Sequence, residues 1–107
     1  MDGMYIDILI NSILSTCALC DSGCQCFATV SEQFIKKNGV DSLPIEPRPL
    51  KQGTIIKEQP MIQRIATFTV DINSIEEKIV AYVISRQIDD VIFGNGWMEQ
   101  HDASIRL

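Results

Sequence analysis

Nothing in this sequence of 107 residues is apolar for long enough to span a bilayer. The longest run is Ile8-Leu9-Ile10, with Ile13-Leu14 after a polar break, far short of the twenty or so residues a helix needs. A basic segment ahead of a long apolar one is also missing near Met1, so the expectation is a soluble intracellular protein without a secretory leader. Basic charge is scarce as well. Nine Lys and Arg face fourteen Asp and Glu, a net charge of -5, and Lys36-Lys37 is too small a patch to hold phosphates by counterion release. Nucleic acid and membrane are therefore not expected as partners. Repeats and low-complexity segments are absent, and the length allows one domain, residues 1–107, rather than two.

Cysteine, by contrast, is crowded. Cys17, Cys20, Cys24 and Cys26 fall within ten residues. Disulfides fit poorly with a reducing compartment. A zinc or iron-sulfur site is the sharper alternative, since Cys17 and Cys20 have C-x-x-C spacing. Against it, zinc sites usually draw their ligand pairs from separated segments. In addition, residues 17–20 read as strand, where positions 17 and 20 point to opposite faces. The cysteines are read as small buried apolar thiols, with neither metal nor cofactor expected.

Most of the chain has strand character. Residues 5–10, a turn at Asn11-Ser12 and residues 13–20 form an expected hairpin rich in β-branched side chains. Thr29 with Glu32 three residues on is a possible capping box for a short helix that stops at Asn38-Gly39. Pro44, Pro47 and Pro49 make residues 40–50 an extended connector. The Lys51-Gln52-Gly53-Thr54 stretch looks like a hairpin tip, and residues 61–72 alternate as a half-buried strand. Asn73-Ser74 is a turn, and residues 79–84 form an apolar run expected to be covered on both faces. Val91-Ile92-Phe93 is a short buried strand closed by Gly94. Residues 96–100 suggest a second short helix and residues 103–107 a terminal strand. The sum is a mainly β, small closed barrel-like domain.

The second strand runs into Asp21-Ser22-Gly23, so a carboxylate stands where an apolar strand must turn. Such a triplet alone is ordinarily a surface turn. Here Ala18-Leu19-Cys20 before it and Cys24 after it are apolar, which delivers the Asp to a half-buried position. The segment Ala18-Leu19-Cys20-Asp21-Ser22-Gly23-Cys24, with Phe27 and a helix following, resembles the active-site segment of retropepsins, the retroviral-type aspartic proteases. Downstream, Asp90-Val91-Ile92-Phe93-Gly94-Asn95-Gly96-Trp97-Met98, followed by His101, resembles their second signature. The Trp and trailing His are most similar to the protease of gypsy-like long-terminal-repeat retrotransposons.

That resemblance implies a retropepsin fold acting as a two-fold dimer, with one catalytic Asp21 from each protomer. It implies that Ser22 bonds across the axis, that Gly23 lets backbone approach substrate, and that Cys24 flanks the site. Ile92, Phe93 and Gly94 would support the catalytic loop from beneath. A flap at about residues 50–58 would close on an extended peptide through Lys51, Gln52, Gly53 and Thr54. The implied function is a homodimeric aspartic endopeptidase that processes a retroelement polyprotein. Its implied location is the cytoplasm, with virus-like particles as a further site. Three positions depart from the pattern: Cys24 replaces a usual Ala, Cys20 a usual Ile or Val, and Gly96 a frequent Asp. These departures motivate the alternative of a catalytically weak or inactive dimerisation or peptide-binding module. His101 has no nucleophile tied to it by any motif and reads as a surface or helix-end residue. Trp97 reads as packing, Asp90 as structural, and Gly94-Asn95-Gly96 is too short for a nucleotide fingerprint.

Overall fold

The computed structural model describes residues 4–49 and 61–101. The N-terminal hairpin forms as expected. β1 (Met4–Ile10) pairs antiparallel with β2 (Leu14–Cys20), and Ile10 lies opposite Leu14. Asn11 and Ser12 take φ of 52° and 63°, a left-handed conformation that Asn tolerates better than most residues. Asn73 and Ser74 repeat the device at 52° and 68°. There Ile72 pairs directly with Ile75, so two residues with positive φ close the hairpin, as the right-handed twist of its strands favours.

β3 (Ala28–Ser31) leads into α1 (Glu32–Asn38). The helix is capped by Ser31 and not by Thr29 as the sequence suggested. Ser31 Oγ accepts from Phe34 N at 3.2 Å, while Thr29 is a buried strand residue whose hydroxyl donates to Gln87 Oε1. Strand pairing carried two residues further than local cap chemistry indicated. The stop is where Asn38-Gly39 placed it, with Gly39 at φ 67° donating to Ile35 O. Replacing Ser31 by Ala is expected to cost about 1 kcal/mol, read from the urea midpoint at unchanged slope.

β4 (Ser42–Pro49) is a strand, where the sequence suggested only an extended connector. It pairs with β5 (Met61–Ile72) through a register shift between Pro44 and Arg48. Prolines are tolerated because β4 is an edge strand with a single ladder. β6 (Ile75–Ile84) also departs from expectation. Its apolar run is covered on one face, with Ile79, Ala81 and Val83 inward and Val80 49% exposed. β7 (Val91–Phe93) and α2 (Asn95–Gln100) complete the described elements. The expected terminal strand at 103–107 lies outside the described residues, and no described helix is long and apolar enough to cross a membrane.

The strands form one sheet in the order β1-β2-β7-β3-β6-β5-β4, and β1 also pairs with β5. That second pairing closes six strands into a barrel and leaves β4 as a flange. The seam is short, with Leu9 and Ile10 opposite Asp71 and Val70. Asn11 fastens it from both ends, since its N–H donates to Thr69 O and its Oδ1 accepts from Thr69 N, each at 3.0 Å. Inward residues of every barrel strand fill the core, among them Ile10, Ala18, Val30, Ala66, Val70, Ile79, Val91 and Phe93. The mainly β, closed-barrel expectation holds.

Candidate active site

β2 alternates its burial up to Cys20, which points into the barrel. The next residue, Asp21, leaves the sheet half-buried, with Ser22 and Gly23 exposed beyond it. The loop is tightly wound. Cys24 N donates to Asp21 O at 3.1 Å, and Gly23 N donates to Asp21 Oδ1 at 2.8 Å. A Cβ on Gly23 would stand 3.2 Å from that same Oδ1, so a side chain there would press on the carboxylate.

The second signature segment is laced to this loop along its length. Asp21 N donates to Phe93 O and Gly94 N to Phe27 O, both at 2.9 Å. Asn95 N donates to Cys24 O at 3.0 Å and Gly96 N to Cys26 O at 3.2 Å. β7 lies between β2, parallel to it, and β3, antiparallel to it. Asp21, Ser22, Gly23 and Cys24 are thus brought together with Phe93 and Gly94. Ile92, half-buried, pairs with Leu19 and Thr29. Lys51, Gln52, Gly53 and Thr54 lie outside the described residues. The strands on either side of them, β4 and β5, pair antiparallel.

Below the loop, Phe93, Trp97 and His101 stack face to face, with ring centroids 4.0 Å and then 4.3 Å apart. Trp97 is buried, as its reading as a packing residue implied. His101 caps α2 and has a partner that sequence spacing could not indicate: its Nε2 meets Glu77 Oε1 of β6 at 2.5 Å. The residues before β7 are braced in a similar way. Asp90 Oδ2 accepts from Thr16 at 2.5 Å, Asp89 Oδ1 accepts from Tyr5 at 2.8 Å, and Ser31 N donates to Asp90 O at 2.9 Å. Asp90 thus supports the strand entering the site. A cavity of about 380 Å³ opens beside the loop between residues 25–28 and 80–82, lined also by Arg48 and Pro49.

The four cysteines differ from the buried apolar set that their spacing suggested, because only Cys20 points inward. Cys17 is exposed, while Cys24 and Cys26 are half-buried. Among the described residues no three His, Cys, Asp or Glu side chains are placed to share a metal ion. Their acidities diverge. A hydrogen bond from the Cys26 thiol pulls Cys24 below the usual thiol range. Cys26 is pushed up by holding its proton toward Cys24, by burial, and by the charges of Cys24 and Asp21. Burial raises Cys20, and the hydrogen bond to Asp7 raises Cys17. Since thiolate is the nucleophile, iodoacetamide is expected to label Cys24 ahead of Cys26 as pH rises, a preference that peptide mass mapping would read.

Among solved structures, the chain is similar to EIAV protease complexed with the inhibitor HBY-793. The TM-score is 0.62 at 12% identity, over 98% of this chain and 91% of that one. It is also similar to a retropepsin-like aspartic protease from Rickettsia conorii, with TM-score 0.60 and 19% identity over 92% and 71% of the two chains. A third is the retroviral protease-like domain of Ddi1 from Leishmania major, with TM-score 0.58 and 19% identity over 95% and 77%. No curated protein matches by sequence. At these identities the structures speak for the fold, which is that of a retropepsin. The family model for the PEG10/RTL1 protease domain matches residues 17–107, a span that contains the Asp21 loop, the segment laced to it and the Trp97 stack, and the chain belongs to that family of retrotransposon-derived proteases.

Proposed function

We propose that the chain, as one domain over residues 1–107, is half of a homodimeric aspartic endopeptidase whose catalytic group is Asp21. The observation that carries this reading is the half-buried Asp21 carboxylate, held by Gly23 N at 2.8 Å on a loop laced to the β7–α2 segment. Among the described residues no Lys, Arg or His forms an ion pair with it. A carboxylate fixed in place but not neutralised is suited to work with a second one. Two carboxylates a few ångströms apart cannot both ionise, so they share one proton. One then takes a proton from water as the water attacks, while the other donates to the scissile carbonyl oxygen. A single chain supplies one such group, and a two-fold partner supplies the other.

In this reading Ser22 ties the two loops across the axis, and Gly23 keeps backbone open to substrate. Residues 50–58 cover an extended peptide, contacting it through Lys51, Gln52, Gly53 and Thr54. Main-chain hydrogen bonding of an added strand accepts varied sequences, while pockets select alternate side chains. The substrate is the polyprotein of a retroelement, cut in the cytoplasm or in the particles it assembles. Water is the nucleophile, so no cofactor is called for. The reading is tested by peptide cleavage at mildly acidic pH across chain concentrations, with sedimentation run in parallel. Below the dimer dissociation constant the rate should climb with the square of chain concentration, and a pepstatin-type statine inhibitor should abolish it. A rate strictly proportional to concentration through the monomer–dimer transition would refute the shared site. A second reading, a peptide-binding module without turnover, is favoured by Cys24 beside Asp21. Intact dimers that bind peptide yet neither cleave it nor bind the inhibitor would establish it.

A further inference from the structure

Among the described residues that line the cavity of about 380 Å³ beside the Asp21 loop, Arg48 is the one that carries a charge. Its side chain belongs to the face of the sheet on which the cavity opens. Arg48 lies opposite Ile62, which is 1% exposed, and directly opposed residues of an antiparallel pair share a face. Four steps along β4, from Pro44 to Arg48, match two along β5, from Arg64 to Ile62, so the register shift leaves that facing unchanged. Ala66 shares the face by alternation, and its partner on β6 is Ala81, which lines the cavity and is buried. The other basic residue on this face is already engaged. Arg64 donates from Nε to Ser42 Oγ at 2.9 Å and from Nη2 to Ser42 O at 3.0 Å. Arg48 is exposed and, among the described residues, holds no ion pair.

We propose that this cavity receives an acidic side chain of the bound peptide and that Arg48 is the residue that selects it. The selection rests on the function proposed above, in which the peptide lies over the Asp21 loop. Gln25, on the cavity wall, is four residues beyond Asp21, so the two Cα atoms are at most about 14 Å apart. The turn closed by Cys24 N and Asp21 O shortens that path. An extended peptide advances about 3.4 Å per residue, so a side chain within about four residues of the scissile bond reaches the cavity.

The chemistry of the lining fits a carboxylate. A guanidinium presents paired N–H donors that match the two oxygens, and among the described lining residues no carboxylate competes for them. Glu46, two residues back on β4, is not part of the lining. Ala28 and Ala81 are small as well as buried, which leaves space for the head of Arg48 and the incoming side chain together. The sign of the charge is itself selective. With fourteen acidic against nine basic side chains the chain as a whole repels acidic peptides, so a preference for acid has to be local to Arg48. Because Arg48 is exposed, salt screens the pair, and Glu should be favoured over Gln by roughly five- to tenfold.

The test is a set of otherwise uncharged peptides carrying one Glu, Gln or Lys at each position in turn. Cleavage by the full chain gives kcat/KM for each, and titration calorimetry gives the affinity of the Asp21→Asn chain for the same peptides without turnover. In both measurements one position should favour Glu over Gln by roughly five- to tenfold at low salt, with Lys last, and the preference should shrink in concentrated sodium chloride. Arg48→Glu should reverse the order at that position, so that Lys is preferred, and leave the other positions as they were. Arg48→Lys should keep the order. Lys36→Glu makes the same change in net charge on α1, where Lys36 faces Glu32 at 3.6 Å, and it should also keep the order. A preference that Arg48→Glu leaves in place, or that Lys36→Glu reverses equally, would overturn the role of Arg48. Normal cleavage with no preference for Glu at any position would overturn the pocket and spare the peptidase. Selective binding of Glu peptides by a chain that cuts none of them would spare the pocket and overturn the peptidase.

Discussion

Asp21→Asn is expected to lower kcat/KM by on the order of 10^4-fold or more while leaving the fold and the dimer intact. The two expectations come from different atoms of one side chain. Asn keeps an oxygen where Asp21 Oδ1 accepts from Gly23 N, so the turn at 21–24 retains its hydrogen bonds. It lacks the second oxygen that can hold or release a proton, so an Asn pair has neither a base for water nor an acid for the carbonyl. Mixing adds a sharper reading of the same change. If wild-type and Asp21→Asn chains reassort freely at equal amounts, about a quarter of the dimers carry two Asp21 side chains. Activity at constant total chain should then fall to about a quarter of that of wild type alone. A monomeric enzyme would retain about a half under the same conditions. Retention of a half would refute a site shared between two chains, and any turnover by the pure variant above the background of an unrelated protein would remove Asp21 from the mechanism.

The parts of the fold that were legible in the sequence are those governed by neighbours along the chain. Asn11-Ser12 and Asn73-Ser74 announced their turns because few residues other than Gly tolerate positive φ as well as Asn does. The alternation of residues 61–72 marked β5, and Asn38-Gly39 marked the end of α1. Errors arose where tertiary pairing overrode a local rule. Thr29 carries a good capping side chain, but the β3 pairings to β6 and β7 extend the strand past it, and Ser31 becomes the cap. Residues 79–84 are apolar on both faces in composition, yet one face of β6 meets solvent at Val80, because the barrel has a single interior. Pro44, Pro47 and Pro49 barred a central strand but not an edge strand, a difference set by where β4 falls in the sheet.

The candidate site divides in the same way. The two segments 18–24 and 90–98 could each be read as a motif, and their order suggested that they meet. What joins them could not be read, since backbone amides and carbonyls carry no sequence signature. The Thr16–Asp90, Tyr5–Asp89 and His101–Glu77 contacts join residues far apart in the chain through ordinary polar side chains. The cysteines illustrate the limit most directly. Strand alternation separated Cys17 from Cys20, but the half-buried placement of Cys24 and Cys26 depends on the path of the loop beyond β2.

Gly94→Ala is expected to be the most damaging single substitution for the lacing of the two segments. Its backbone, at φ -94° and ψ -168°, is extended and open to any residue, so conformational preference is not the reason. The reason is space. An added Cβ would stand 2.2 Å from Cys26 O and 2.8 Å from Cys24 O, and both are backbone atoms that cannot rotate aside. Relief requires moving residues 24–26 away from α2, which breaks the bonds from Asn95 N and Gly96 N and displaces the loop holding Asp21. Overpacking of this kind costs about 3 kcal/mol or more, and at about 4–8 °C per kcal/mol for a domain near this size the midpoint should fall by roughly 12–24 °C. Melting curves must be compared at equal chain concentration, because a dimer gains stability by mass action. Gly96 is the matched control. A Cβ there meets Phe27 Cα at 3.4 Å, an ordinary contact, and Ala in place of a helical Gly is favourable by up to about 1 kcal/mol, so Gly96→Ala should melt at or above the parent. If instead Gly94→Ala matched wild type while Gly96→Ala was crippled, the close passage of the β7–α2 turn over the carbonyls of residues 24 and 26 would be wrong. The support it gives the Asp21 loop would then have to come from elsewhere in the barrel.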